Sequence, residues 1–158
     1  LNKEINKSIS YYIPYETNPE NTRRITSYFN ICGDVERIGD HARNIAEYIL
    51  RMNESDVKFS ETEVGEISAM KNICCEILGE FFENLESSDL KVSVQKLEQI
   101  IDDMTVDYRG GLVERMKAGT ESHESCILYS EILVDFERIG DHALNIASEL
   151  KKQNIQAI

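Results

Sequence analysis

Glu36 and Asp40 stand four residues apart, and the same pair returns as Glu137 and Asp141, an offset of 101 residues. On a helix such residues share a face, where two carboxylates repel by roughly a few tenths of a kcal/mol. A pair of this kind without a lysine partner calls for another positive charge, and a bound cation is one source. The other reading is a solvated network in which Arg37, Arg138 or residues of a neighbouring helix neutralise the acids. Between the two copies lie a further pair, Glu98 and Asp102, and a second acidic spacing of four at Asp103 and Asp107. Two adjacent helices could then turn four carboxylates into one groove. Oxygen-only donors suit Mg²⁺, Mn²⁺, Ca²⁺ or ferric iron more than copper or structural zinc.

The acids belong to a duplicated segment, VERIGDHARNIAEYI from Val35 to Ile49 and FERIGDHALNIASEL from Phe136 to Leu150. Counting about 100° per residue from Ile139, Glu137 and Asp141 fall near 160° on either side, away from the apolar stripe. Glu36 and Asp40 have the same placement about Ile38. His41 and His142 sit nearer the apolar edge, where a histidine more often bonds a neighbouring helix than ligates a metal; His123 has no evident partner. Gly39 and Gly140 each cost a helix roughly 1 kcal/mol relative to alanine, which suits a close helix approach or access to the carboxylates.

The elements that must position these residues read as helices throughout. Both prolines, Pro14 and Pro19, fall between a short helix over 1–13 and a long one over 20–52. The long helix carries Ile31, Val35, Ile38, Ala42, Ile45 and Ile49 as one stripe. Ser60 and Glu63 have capping-box spacing, which starts a third helix near Glu61, with Val64, Ile67, Ile73, Ile77, Phe81 and Leu85 inward. A fourth follows from Leu90 and ends at Gly119, and a fifth runs over 121–153 with Leu128, Ile132, Phe136, Ile139, Ala143, Ile146 and Leu150 inward. No segment alternates with period two. The expected fold is all-α, an up-down antiparallel bundle of about five helices. With the repeat offset, this reads as tandem three-helix units: a truncated first repeat over 1–55 and a complete second over 56–158.

Twenty-nine acidic against 17 basic residues, a net charge of −12, disfavour nucleic acid and anionic membrane surfaces as partners. No apolar run approaches the roughly 20 residues of a membrane span, so direct membrane insertion of this segment is not expected. The four cysteines, Cys32, Cys74, Cys75 and Cys126, lack C-x-x-C spacing and read as free buried thiols in a reducing compartment. Catalysis has little support. Di-iron bundles use E-x-x-H, and here Gly39 and Gly140 occupy the histidine position; no P-loop, nucleophile elbow or H-E-x-x-H motif is present.

The tandem ERIGDHA-x-NIA helices, with E-x-x-x-D in the helix before the second, resemble the PhoU family over nearly the whole chain. The resemblance implies tandem three-helix bundles whose acidic motifs hold multinuclear metal clusters, commonly iron or zinc, and a role in phosphate control rather than catalysis. It places metal positions at Glu36 and Asp40 in the first copy, and at Glu98, Asp102, Glu137 and Asp141 in the second. In the first copy Asn2 and Asn6 stand where the other helix's acids belong, which makes that site the weaker. The stretches LNKEIN, KLEQIIDDM, VERMKAG and SEILVDFERIGDHALNIA look most like the cytoplasmic domain of bacterial sodium/phosphate cotransporters.

The resulting expectation is a regulatory or accessory domain in phosphate transport. It would be cytoplasmic, tethered through an upstream transporter domain, and bound to the membrane portion of a transporter or to phosphate-signalling proteins. The alternatives are a free-standing regulator of an ABC-type phosphate transporter and its histidine kinase, or a purely structural helical module. A chain that opens on Leu1 inside a helical pattern suggests excision from something longer. Without a first helix for the first repeat, its apolar faces favour a homodimer.

Overall fold

The computed structural model describes residues 2–55, 57–119 and 121–154, with the side chains of Asn2, Gln153 and Asn154 outside the description. Among the described residues five α-helices form: α1 (Asn2–Tyr12), α2 (Pro19–Glu54), α3 (Glu61–Glu83), α4 (Leu90–Ala118) and α5 (His123–Asn154), with a 3₁₀ turn over Ile13–Tyr15. No strand occurs among the described residues.

Local chemistry sets the ends. Pro19 opens α2 behind Asn18, whose side chain accepts the Glu20 N–H; proline suits this place because the first helical N–H has no partner within the helix. Ser60 and Glu63 complete the capping box of α3. Gly119 ends α4 at φ 66°, the left-handed region where glycine carries no Cβ penalty. Ser122 precedes α5 and accepts the Ser125 N–H at 3.1 Å.

Helices α3, α4 and α5 enclose the core. Met70, Cys74 and Ile77 of α3 meet Val94 and Ile101 of α4 and Tyr129, Ile132 and Leu133 of α5. Each aliphatic side chain buried this way contributes roughly 1.5–3 kcal/mol. Two residues expected inward on the third helix are outward instead: Val64 is exposed, and Leu85 lies past the end of α3, also exposed. The inward line there runs through Met70 and Cys74, a stripe rotated from the one the aliphatic residues suggested.

Helix α2 packs along α5, antiparallel: Ser27 pairs with Glu149, Asp34 with His142 and Asp135 with His41. Its stripe is only partly covered. Ile38 and Ile45 reach the core, whereas Val35, Ala42 and Ile49 are exposed. Positions 101 residues on show the difference in cover: Tyr28 is 46% exposed and Tyr129 0%, Val35 56% and Phe136 5%. Helix α3 supplies cover to α5, for example where the Cys74 Sγ meets the Phe136 carbonyl at 3.7 Å. Among the described residues nothing does so for the matching face of α2. All four cysteines are free thiols; Cys74 and Cys126 are buried as expected, Cys32 is half-buried, and Cys75 is exposed.

Candidate metal centre

Glu98 and Asp102 are one turn apart on α4, and Asp141 comes from α5. Their carboxylates each offer an oxygen such that all three lie within 4.8 Å of one another. Helix α5 runs back along α4, and Gly140 packs against α4 side chains: a Cβ there would lie 3.5 Å from Ile101 Cδ1 and 3.6 Å from Glu98 Cγ. That is ordinary van der Waals contact, so the helices touch at this glycine without forcing it. Buried Ile101 and Ile139 lie beside the acids and limit water on that side.

The electrostatics of the bare cluster are unfavourable. Burial, then the charges of Asp102 and Asp141, push Glu98 above the ordinary carboxylate range. Burial, then Asp141 and Asp103, do the same for Asp102. Asp102 Oδ1 is buried without a hydrogen-bond partner. Arg138 reaches Asp141 at 3.0 Å, so one of the adjacent arginines does neutralise an acid as the solvated reading expects, but from a largely exposed position. Two oxygens bound to one cation at about 2.0–2.6 Å each can stand as far apart as about 4–5 Å. The donor set therefore fits a hard cation: the spacing is right, the charge is in excess and one buried oxygen lacks a partner.

The remaining candidates are placed differently. Glu137 is half-buried one turn away on α5, about 6 Å along the axis, and does not join the three converging oxygens. Asp103 and Asp107 face solvent, Asp103 accepting from Gln99 Nε2 at 3.1 Å. Of the four acids expected in the groove, Glu98, Asp102, Glu137 and Asp141, three converge and Glu137 does not; Asp103 lies outside it, rotated by about 100° from Asp102. In the first copy Glu36 is exposed and Asp40 is held by Arg43 at 2.8 Å. No third acid converges on them among the described residues. Asn6 Oδ1 is buried and unpartnered; the side chain of Asn2 is outside the described residues. A Cβ at Gly39 would meet nothing within 4 Å, so the close approach made at Gly140 has no counterpart there.

Sequence reasoning missed one feature of the interface. His41 Nδ1 lies 2.6 Å from Asp135 Oδ1, and His142 Nδ1 lies 2.8 Å from Asp34 Oδ1. The two imidazoles stack with centroids 5.5 Å apart. Asp34 and Asp135 precede their own copy's histidine by seven residues, about 10 Å along one helix, so each histidine can pair only with the aspartate of the other copy. The repeated D-x-x-x-x-x-x-H spacing was the available signal. As expected for an edge position, both histidines bond a neighbouring helix.

The PhoU domain family matches residues 1–49 and 67–150. The chain is 34% identical over 154 residues to the phosphate-specific transport system accessory protein PhoU homolog 1 of Thermotoga maritima, covering 95% of this chain and 65% of that protein. It is 24% identical over 129 residues to the corresponding PhoU homolog of Streptococcus pneumoniae, covering 81% of this chain and 59% of that protein. The chain thus spans somewhat less than two thirds of these relatives. A crystal structure of the phosphate transport system regulatory protein PhoU from Streptococcus pneumoniae superposes with a TM-score of 0.73, at 22% identity, over 94% of this chain and 73% of that one; at that identity the likeness is one of fold. No helix among the described residues is long and apolar enough to cross a membrane. With the family matched across both ERIGDHA helices and the helix that carries Glu98 and Asp102, the chain belongs to the PhoU family.

Proposed function

We propose that this chain is the regulatory body of a PhoU-type accessory protein of a phosphate-specific transport system, and that it holds a hard metal ion on Glu98, Asp102 and Asp141. The observation that carries the metal reading is the convergence of three carboxylates, one of which, Asp102, holds a buried oxygen without a partner. Bound metal would supply positive charge that cancels the repulsion of the three acids across α4 and α5 and joins the two helices. Glu137 and the first-copy pair Glu36 and Asp40 are secondary ligands at most. Iron or manganese is the occupant that the oxygen-only donors favour, with zinc, implied by the family resemblance, as the alternative, and with no catalytic role.

The names of the relatives favour an accessory regulator over the cytoplasmic domain of a sodium/phosphate cotransporter. The cotransporter reading rests on short stretches such as LNKEIN and KLEQIIDDM alone. Partners would then be the transporter and its phosphate-signalling proteins, at the cytoplasmic face.

Metal analysis of protein purified without chelator tests the site. The expected result is bound metal that falls by at least half in Asp102→Asn/Asp141→Asn and is retained in Glu36→Gln. Equal metal in all three proteins would overturn the assignment. For the function, deleting the gene should change phosphate uptake when phosphate is abundant; unchanged uptake would reject the regulatory reading.

A further inference from the structure

At the far end of α4 from Glu98, Arg115 is surrounded by acids. The separation is about 25 Å at 1.5 Å per residue. Arg115 Nη2 lies 3.2 Å from Glu66 and Nε 3.0 Å from Glu121. Tyr129 donates its hydroxyl to Glu66, so that carboxylate is well satisfied. Glu63 completes the capping box with Ser60, its Oε2 accepting the Ser60 N–H at 2.9 Å. The Ser60 hydroxyl is 3.0 Å from Glu63 Oε2 and 3.3 Å from Glu121 Oε1. It carries one proton and can donate to only one of them.

Glu66 and Glu121 therefore share one guanidinium beside the buried Glu63, and the shortfall falls on particular atoms. Glu63 Oε1, Glu121 Oε2 and Ser125 Oγ are buried without hydrogen-bond partners. Glu63 is 0% and Ser125 3% exposed, and the Glu121 side chain 6%. All three residues, with Ser60, line one cavity of about 610 Å³ that opens to solvent between the start of α3 and the start of α5.

We propose that Glu63, Glu121 and Ser125 form a second cation site, at this end of the bundle, for a hard divalent cation of the calcium or magnesium type. Each carboxylate is compensated on one oxygen only, Glu63 Oε2 by Ser60 and Glu121 Oε1 by Arg115; the buried oxygen left over on each is costly to leave unpaired, and a positive charge beside it removes that cost. A proton shared between the two glutamates would satisfy two of the three atoms and leave Ser125 Oγ unmet. A cation accepts lone pairs from all three, and the open cavity admits the waters that complete a shell of six to eight oxygens. Burial, then the facing Glu121 carboxyl, push Glu63 up to about 7, in keeping with a site short of positive charge. Bound there, a cation would tie the first turn of α3 to the start of α5 and the residues just before it, so loading would stiffen the end of the bundle.

The test uses the full chain carrying Asp102→Asn/Asp141→Asn, which disables the other centre, with circular dichroism to confirm folding. Terbium luminescence is read on tyrosine excitation, because the chain has seven tyrosines and no tryptophan. Saturable terbium binding displaced by Ca²⁺, with a rise in melting temperature on adding Ca²⁺, is expected. Glu121→Gln should weaken binding at least tenfold and Ser125→Ala about threefold, while exposed Glu124→Gln on the rim leaves it unchanged. Should Glu121→Gln fail to fold, Ser125→Ala decides. No saturable binding by the folded protein, or equal binding in the variants, would overturn the proposal. So would stability that responds to pH in chelator but not to Ca²⁺, the mark of a shared proton. Retained binding here with no metal at Glu98, Asp102 and Asp141 would separate this site from the first.

Discussion

His41 of α2 bonds Asp135 of α5 at 2.6 Å, and the exchange is returned between His142 and Asp34 at 2.8 Å, so the two copies of one motif clasp each other across an antiparallel interface. Asp135 is buried and its second oxygen has no partner. The histidine, with the Asn44 amide at 3.4 Å, is what compensates that carboxylate. His41→Ala should therefore destabilise the protein by about 2–3 kcal/mol, because it strands a buried acid. Adding Asp135→Asn should recover part of the loss. Urea unfolding of the two single variants and the double variant checks this; strictly additive losses would contradict it.

Replacing the two motif glycines with alanine separates helix propensity from packing. Gly39 faces open space, and a Cβ at Gly140 makes only ordinary contacts at 3.5 and 3.6 Å. Gly39→Ala should stabilise by up to about 1 kcal/mol and Gly140→Ala by no more than that. A large loss at position 140 in thermal unfolding would show a tighter approach of α4 and α5 than described.

Glu63 makes stability depend on pH in a definite direction. Its folded value of about 7 lies above the ordinary 4.5 because burial, then the Glu121 carboxyl, disfavour the charged form. Below pH 4.5 both states hold the proton; between 4.5 and about 7 only the folded state does. Stability in chelator should therefore fall as pH rises through that window, by on the order of 3 kcal/mol. Glu63→Gln should flatten the slope. An unchanged profile in that variant would refute the assignment.

The uncovered face of α1 and α2 predicts association of the chain when it is expressed alone. Tyr11, Tyr12 and Tyr15 cluster and are exposed, and Tyr28 and Val35 are exposed on α2, apolar surface of a kind that favours association. Light scattering should report a dimer, and Tyr28→Asp/Val35→Asp should shift it to monomer. A monomer at all concentrations in the parent chain would contradict the prediction.

Chain order alone was enough for whatever depends on neighbours within a turn or two. The Ser60 and Glu63 box, the left-handed Gly119 and the Pro19 start act through local backbone geometry, and the 3.6-residue period marks Ile132, Phe136 and Ile139 as one face. The family, too, was legible, since both motif copies and the Glu98 and Asp102 pair are contiguous. Tertiary structure decided which acids meet. A helical period sets the angle of Glu137 and Asp141 about their own axis but not the height or rotation of α4 beside them, and packing around Gly140 selects Asp141. For the same reason the outward Val64 and the buried oxygens of Glu63, Glu121 and Ser125 emerge only when separate helices are docked, since each depends on distances between elements; the crossed histidine–aspartate pairs left a trace in the repeated spacing of seven, but their partners too are fixed only by the docking of α2 on α5.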